Sequence, residues 1–203
     1  MFRTQPLTAN EALQRLLEGN KRYVIGSLRH AQRNQTPERR KQVANRQTPL
    51  AIIIGCSDSR VPPEVIFDQG LGDVYVIRLA GNLVDNLALG SVEYAAQRLG
   101  VPLALVLGHG RCSIVTLAVE VVEKGAHAPG YLGSLVEAIW PAMARAKSQA
   151  GDLVENTLRA NVALVVERLK GARPVLADLV QGGRLKVVGA RYDMDTGLVE
   201  IIT

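Results

Sequence analysis

Apolar residues form two uninterrupted runs that lack the alternation of a half-exposed strand. Residues 50–55 read Leu-Ala-Ile-Ile-Ile-Gly, and residues 103–107 read Leu-Ala-Leu-Val-Leu. Strands that are buried on both faces have this pattern, because neither face meets water. Weaker apolar stretches at 74–79, 185–190 and 198–202 predict three further strands. The pattern therefore predicts a sheet whose central strands are covered on both sides.

Helical patterns separate these strands along most of the chain. The predicted helices cover residues 62–67, 86–99, 112–124, 131–149, 152–170 and 174–180. Within the fourth of these helices, Pro141 predicts a break or a restart. The turn-rich residues 193–197 predict a hairpin between the last two strands. Alternation of strand and helix is typical of an α/β fold with a mostly parallel sheet flanked by helices and right-handed crossovers.

A helical arm is predicted ahead of the first strand. Thr8 and Glu11 form a capping box, and Thr36 with Pro37 marks a second helix start. We expect a single domain over residues 1–203, in which 1–49 form the arm and 50–203 the α/β core, because 203 residues with 47% hydrophobic content suit one core. The arm has an apolar face but precedes the sheet, so we expect it to cover a second copy of the chain.

Charge and hydropathy exclude several classes of protein. The formal net charge of +5 is concentrated in residues 29–46, which we interpret as a solvated face because no aromatic or glycine-rich nucleic-acid motif accompanies it. No stretch reaches the roughly 20 apolar residues that span a bilayer. Residues 1–6 lack the apolar core of a signal peptide, so we expect a cytoplasmic protein with no membrane or nucleic-acid partner.

Metal-binding residue types follow both buried runs. Cys56, Asp58 and Arg60 come after the first run, where an extended segment would point all three to one side. His109 and Cys112 come after the second run, so both groups lie at carboxyl ends of strands, where α/β sheets bind ligands. Two cysteines, one histidine and one aspartate are a plausible set of zinc ligands. A disulfide between the two cysteines is the alternative interpretation.

Together, the two fragments resemble the β-class carbonic anhydrases, which carry C-x-D-x-R after one strand and H-x-x-C after another. The resemblance also covers residues 61–64, 68–73 and 78–82, and with the order of elements it extends over roughly 8–203. It implies a parallel core with an additional C-terminal edge strand, an N-terminal arm wrapped around a partner subunit, and a homodimer or tetramer. It also implies reversible hydration of carbon dioxide to bicarbonate and a proton, by attack of a zinc-bound hydroxide.

The resemblance assigns roles to the motif residues. Cys56, His109 and Cys112 would bind one zinc ion per chain. Asp58 has two candidate roles, and the family shows both arrangements. It is either the fourth zinc ligand, or it pairs with Arg60, leaves the fourth position to water and orients the hydroxide.

Further residues match the pocket of the plant-type members. Gln47 corresponds to a glutamine that forms a hydrogen bond with the substrate, and Tyr94 corresponds to a tyrosine that lines the pocket. Ser113 stands where the family usually has glycine, so its side chain is expected to narrow the pocket or add a hydrogen bond.

A second departure concerns regulation. Members with a regulatory bicarbonate pocket have tryptophan where this chain has Ile53, although Arg78 and Tyr192 match the rest of that triad. Bicarbonate regulation of that type is therefore not expected.

Two other functions remain open from the sequence. One is a zinc hydrolase of carbonyl sulfide or carbon disulfide on the same fold, and the other is a non-catalytic zinc-binding relative. A cysteine phosphatase is excluded, because neither cysteine is followed by arginine six positions later.

Overall fold

Five strands form one sheet in the computed structural model, which describes residues 7–30 and 36–203. The strands are β1 Ala51–Gly55, β2 Val74–Arg78, β3 Leu103–His109, β4 Lys186–Tyr192 and β5 Val199–Ile201. Their order in the sheet is β2-β1-β3-β4-β5. The first four strands are parallel, and β5 pairs antiparallel with β4 as an edge strand. The predicted fold class and the C-terminal hairpin are confirmed.

Eight α-helices surround the sheet within the described residues. They are α1 Ala9–Val24, α2 Pro37–Val43, α3 Pro63–Ile66, α4 Asn86–Glu93, α5 Ser113–Glu123, α6 Leu132–Ala146, α7 Leu153–Gly171 and α8 Val175–Gln181. The capping box of Thr8 and Glu11 is formed at the start of α1. The predicted break at Pro141 is absent, since α6 runs through it. Proline has no backbone N–H, so the carbonyl one turn earlier lacks its usual helical donor. Because Pro141 is exposed, water can donate a hydrogen bond to that carbonyl instead.

The central strands are covered on both faces, as their uninterrupted apolar runs predict. Ile53 of β1 and Leu105 of β3 face a core that includes α1, α5 and α6. Ile52 and Val106 face a second core, formed with α4, α7 and α8. Every residue of β1 and β3 is buried. The ends of these two strands are therefore held rigidly from both sides.

Helix α1 lies on its own chain, which differs from the sequence expectation. Leu16 is fully buried against the sheet, and a Cβ added to Gly19 would lie 1.8 Å from the carbonyl oxygen of Phe67. The buried Asn20 side chain donates to the Gly197 carbonyl and accepts from the Val199 N–H. The apolar face of α1 that we assigned to a second copy thus covers the same chain's sheet. The sequence could not distinguish packing of α1 on its own sheet from packing on a second copy, because both would bury the same apolar face of the helix.

Some expectations concern residues outside the described part of the chain. Residues 1–6, which bear on the signal-peptide prediction, and residues 31–35 of the basic stretch are not described. Across the described residues, none of the helices combines the length and the apolarity needed to cross a membrane.

Candidate metal centre

Strands β1 and β3 bring the two sequence motifs together. They are parallel neighbours, and the chain leaves β1 for β2 on one side, whereas β3 lies on the other side. This reversal of direction opens a crevice at the carboxyl ends of the strands. Cys56 directly follows β1, and His109 is the last residue of β3. The sheet order alone therefore places the motifs side by side.

Three buried ligand atoms converge in this crevice. The Sγ atoms of Cys56 and Cys112 are 4.0 Å apart, and both cysteines are free thiols. With a ring nitrogen of His109, they form a group whose atoms all lie within 4.8 Å of one another. A zinc tetrahedron with bonds of about 2.3 Å to sulfur has sulfur–sulfur edges of about 3.8 Å. The spacing of the donors and their chemistry therefore fit zinc.

The His109 ring is oriented for coordination through Nε2. Its Nδ1 lies 3.1 Å from the carbonyl oxygen of Gly110. Because a carbonyl only accepts, Nδ1 carries the proton and Nε2 keeps its lone pair. Nε2 is buried and has no hydrogen-bond partner among the described residues. A buried imidazole nitrogen with a free lone pair is what a metal ligand requires, and a carbonyl bonded to the opposite nitrogen is its usual support.

Backbone N–H groups converge on the sulfur of Cys56. The N–H of Gly81 is 3.2 Å from Sγ and that of Asp58 is 3.4 Å away. A hydrogen bond from the Cys112 thiol is the largest influence that lowers the pKa of Cys56, with contributions from His109 and the two N–H groups. The same contact and burial raise the pKa of Cys112. Adjacent thiolates repel, so both sulfurs ionise only when a cation lies between them.

Asp58 is paired with Arg60 and is not part of the group of converging ligand atoms. The Arg60 guanidinium donates from Nε to Oδ1 at 2.9 Å and from Nη2 to Oδ2 at 2.7 Å. The Arg60 backbone N–H also donates to Oδ1, at 2.9 Å. The side-chain bonds of Arg60 are the main cause that lowers the pKa of Asp58 to about 2. Asp58 is thus held as a carboxylate.

The pairing of Asp58 with Arg60 comes from a turn rather than from strand alternation. Strand β1 stops at Gly55, and the Val61 N–H bonds the Asp58 carbonyl at 3.2 Å. Arg60 Nη2 also lies 3.3 Å from the carbonyl oxygen of Arg111, so it links the loop after β1 with the loop between His109 and Cys112.

The remaining predicted residues lie apart from the ligand group. Gln47 and Tyr94 are both exposed and border the same cleft, together with Arg46 and Arg98. The three candidate metal ligands are not among the described residues that line this cleft. Ser113 is the exposed first residue of α5, next to Cys112. Within one chain, the structure therefore brings Gln47 to the same cleft as Tyr94 but brings neither to the candidate metal ligands.

Sequence reasoning missed how β2 supports the loop that carries Cys56 and Asp58. Arg78 at the end of β2 donates to the Cys56 carbonyl at 2.8 Å and to the Asp58 carbonyl at 2.5 Å. Leu79 accepts from the Ser57 N–H at 3.2 Å. The signal available in the sequence was the charged Arg78 at the end of a predicted strand, but its role depends on β2 lying beside β1, which the structure shows.

Comparison with known proteins agrees with this site. A family model described as carbonic anhydrase matches residues 51–199. Carbonic anhydrase 2 of Mycobacterium tuberculosis is 38% identical over 197 residues, which are 97% of this chain and 93% of that protein. Carbonic anhydrase of Mycolicibacterium smegmatis is 35% identical over 201 residues, or 99% of this chain and 95% of that protein.

Solved structures agree as well. The β-carbonic anhydrase of Coccomyxa, in complex with acetazolamide, superposes with a TM-score of 0.71 at 27% identity, over 80% of this chain and 75% of that one. A tetrameric β-carbonic anhydrase of Sordaria macrospora has the same fold, with a TM-score of 0.74 at 22% identity over 95% and 97% of the two chains. The fold and the cysteine–histidine site define a zinc-dependent lyase that acts on carbon dioxide. The chain belongs to the β-class carbonic anhydrase family.

Proposed function

We propose that this chain catalyses the reversible hydration of carbon dioxide with one zinc ion held by Cys56, His109 and Cys112. The observation that carries the proposal is the convergence of these three buried ligand atoms within 4.8 Å. Zinc bound there supplies a Lewis acid that makes water nucleophilic near neutral pH. The Gly110 carbonyl keeps the His109 lone pair free, and the N–H groups at Cys56 stabilise its thiolate.

Asp58 and Arg60 are proposed to orient the reacting water. Arg60 holds Asp58 ionised through two parallel bonds, so the carboxylate can accept a hydrogen bond and direct a lone pair of the water towards carbon dioxide. The alternative role of Asp58 as fourth zinc ligand requires its release from Arg60. The pairing in this structure favours the arrangement with an open fourth position, which a catalytic zinc needs.

Gln47, Tyr94 and Ser113 are proposed to contact the substrate. Ser113 adjoins Cys112 and would do so within its own chain. Gln47 and Tyr94 share a separate exposed cleft, so we propose that they reach the metal centre of a second copy. Leu87, 82% exposed near the start of α4, lies seven positions before Tyr94 and is suited to burial in such a contact.

We therefore expect a homodimer or a multiple of one. Sedimentation velocity should give at least twice the chain mass of 21.9 kDa at the concentrations used for activity assays.

The variant Tyr94→Ala should lower activity without lowering zinc content, because Tyr94 belongs to the substrate pocket. A stable, fully active monomer would contradict the shared site.

Assays on alternative substrates test the reaction itself. The zinc-loaded protein should hydrate carbon dioxide in a stopped-flow assay and show at most weak hydrolysis of carbonyl sulfide or carbon disulfide. The paired Asp58 and Arg60 favour catalysis over a purely zinc-binding role, because a structural site has no use for a water-orienting carboxylate. Preferential turnover of the sulfur compounds, or no turnover by fully loaded protein, would overturn the proposal.

A cytoplasmic location without membrane or nucleic-acid partners stays a prediction. Fractionation of the source cells should recover the chain with cytoplasmic markers. Recovery with membranes, or with nucleic acid at physiological salt, would contradict it.

A further inference from the structure

Arg78 reaches from the end of β2 into the loop that carries two functional side chains. It is paired in register with Gly55, the last residue of β1. From there, its Nε donates to the carbonyl oxygen of Cys56 at 2.8 Å, and its Nη2 donates to that of Asp58 at 2.5 Å. One planar guanidinium therefore spans the backbone at both residues, one a metal ligand and the other the partner of Arg60.

Arg78 differs from other half-buried arginines of the described chain in its hydrogen-bond partners, which are backbone carbonyls. Arg78 is half-buried, yet no carboxylate pairs with it in the part of the chain that the structure describes. Other half-buried arginines have acidic partners, as Arg22 has Asp68 and Arg191 has Glu155. A partly buried cation without a carboxylate is costly unless its hydrogen bonds are well placed. Here the carbonyl oxygens of Cys56 and Asp58 accept those hydrogen bonds.

The residues that follow Arg78 reinforce the same loop. Leu79 accepts from the Ser57 N–H, and its own N–H donates to the Gly55 carbonyl, both at 3.2 Å. Gly81 then directs its N–H at the Cys56 sulfur. Its φ of +69° suits glycine, and an added Cβ would come within 3.0 Å of Ile114. The segment from Arg78 to Gly81 thus holds the backbone and the sulfur of the loop together.

We propose that Arg78 is a positioning residue that sets the Cys56 ligand and the Asp58 carboxylate relative to each other. Outer partners of metal ligands typically change metal affinity or activity about 10- to 100-fold when they are lost. Arg78 acts on the ligand and on the water-orienting group at once, so its loss should affect both zinc affinity and turnover. This inference rests on the proposed function, since it assumes zinc at Cys56 and a catalytic role for Asp58.

The fork of the guanidinium is essential to this role. Lysine has the charge but presents it as a point, so it can approach one of the two carbonyls rather than span both. Arg78→Lys should therefore retain the fold and lie between the parent and Arg78→Met in its effects. Arg168→Met is a matched control, because Arg168 donates to the Val84 carbonyl at 2.6 Å and lies outside the ligand group.

The experiment compares the parent, Arg78→Lys, Arg78→Met and Arg168→Met as zinc-loaded proteins. Chelator competition should show zinc affinity about 10- to 100-fold weaker in Arg78→Met and nearly unchanged in Arg168→Met. Cobalt(II)-substituted Arg78→Met should have altered ligand-field bands, because the Cys56 sulfur shifts. In zinc-saturated Arg78→Met, kcat should fall about 10- to 100-fold while KM stays within about threefold, since orientation rather than binding is lost.

Each outcome decides the role of Arg78. Parental zinc affinity, cobalt spectrum and kcat in Arg78→Met would overturn the inference, even if its unfolding temperature fell. If Arg78→Met does not fold, the same measurements on Arg78→Lys decide the role of Arg78. Parental zinc affinity, cobalt spectrum and kcat in Arg78→Lys would then overturn the inference. Failure of the parent itself to bind zinc or hydrate carbon dioxide would instead refute the proposed function.

Discussion

Replacement of Cys112 by serine should abolish zinc binding and carbon dioxide hydration. Serine is nearly isosteric, but its hydroxyl does not ionise near neutral pH and is a poor zinc ligand beside a thiolate. Only Cys56 and His109 would remain in the ligand group. We expect zinc content below about 0.1 per chain and kcat/KM lowered at least about 1,000-fold, equivalent to about 4 kcal/mol of transition-state stabilisation. Metal analysis and stopped-flow hydration measure both quantities.

The control for this variant is Ser134→Ala on α6. Ser134 is exposed and outside the ligand group, so its loss should leave zinc content and turnover at parental values. Far-ultraviolet circular dichroism should show that Cys112→Ser retains its secondary structure. A folded Cys112→Ser protein that keeps one zinc ion and parental turnover would show that the metal is bound elsewhere.

The second large effect is expected for Arg60→Ala, which should keep its zinc but lose most of its turnover. The side-chain hydrogen bonds that the structure gives Arg60 go to Asp58 and to the Arg111 carbonyl rather than to the three ligand side chains, so metal content should stay near one per chain. Asp58 loses its bidentate partner and its fixed orientation, and it becomes free to approach the metal. We expect kcat to fall about 100-fold, which corresponds to about 2.7 kcal/mol. Zinc analysis and stopped-flow hydration on the same sample check this result.

Arg145→Ala is the matched control for Arg60→Ala. Arg145 makes a similar two-bond pair with Glu167, at 2.9 and 3.0 Å, between α6 and α7. Both partners are half-exposed and screened by water, so the pair should contribute little to stability and nothing to turnover. If Arg60→Ala also turned over at the parental rate, the pair of Asp58 and Arg60 would be structural only.

The convergence of the candidate metal ligands was predictable because it follows from local patterns. Apolar runs without alternation identified β1 and β3 as doubly covered strands, and the motif residues directly follow them. Parallel neighbours end at the same edge of the sheet, so His109 had to lie near Cys56. The capping box at Thr8 and Glu11 was equally local, and the structure forms it.

The features that sequence reasoning missed depend on long-range packing. The packing of α1 on its own chain includes a close approach of Gly19 to Phe67, 48 positions away, and no pattern within α1 reveals it. The support from Arg78 requires β2 to lie beside β1, because only then does the guanidinium reach the loop. The division of residues 1–203 into an arm and one core remains a prediction, which limited proteolysis near residue 49 can test.

The most direct test of the account is X-ray absorption at the zinc edge on the purified protein, with carbon dioxide hydration measured on the same sample. A zinc ion held by Cys56, His109 and Cys112 should give one zinc per chain with two sulfur ligands at about 2.3 Å, one imidazole nitrogen at about 2.0–2.1 Å and one further light atom, in a protein that hydrates carbon dioxide. A protein that hydrates carbon dioxide without zinc, or a zinc ion without two sulfur ligands, would contradict it.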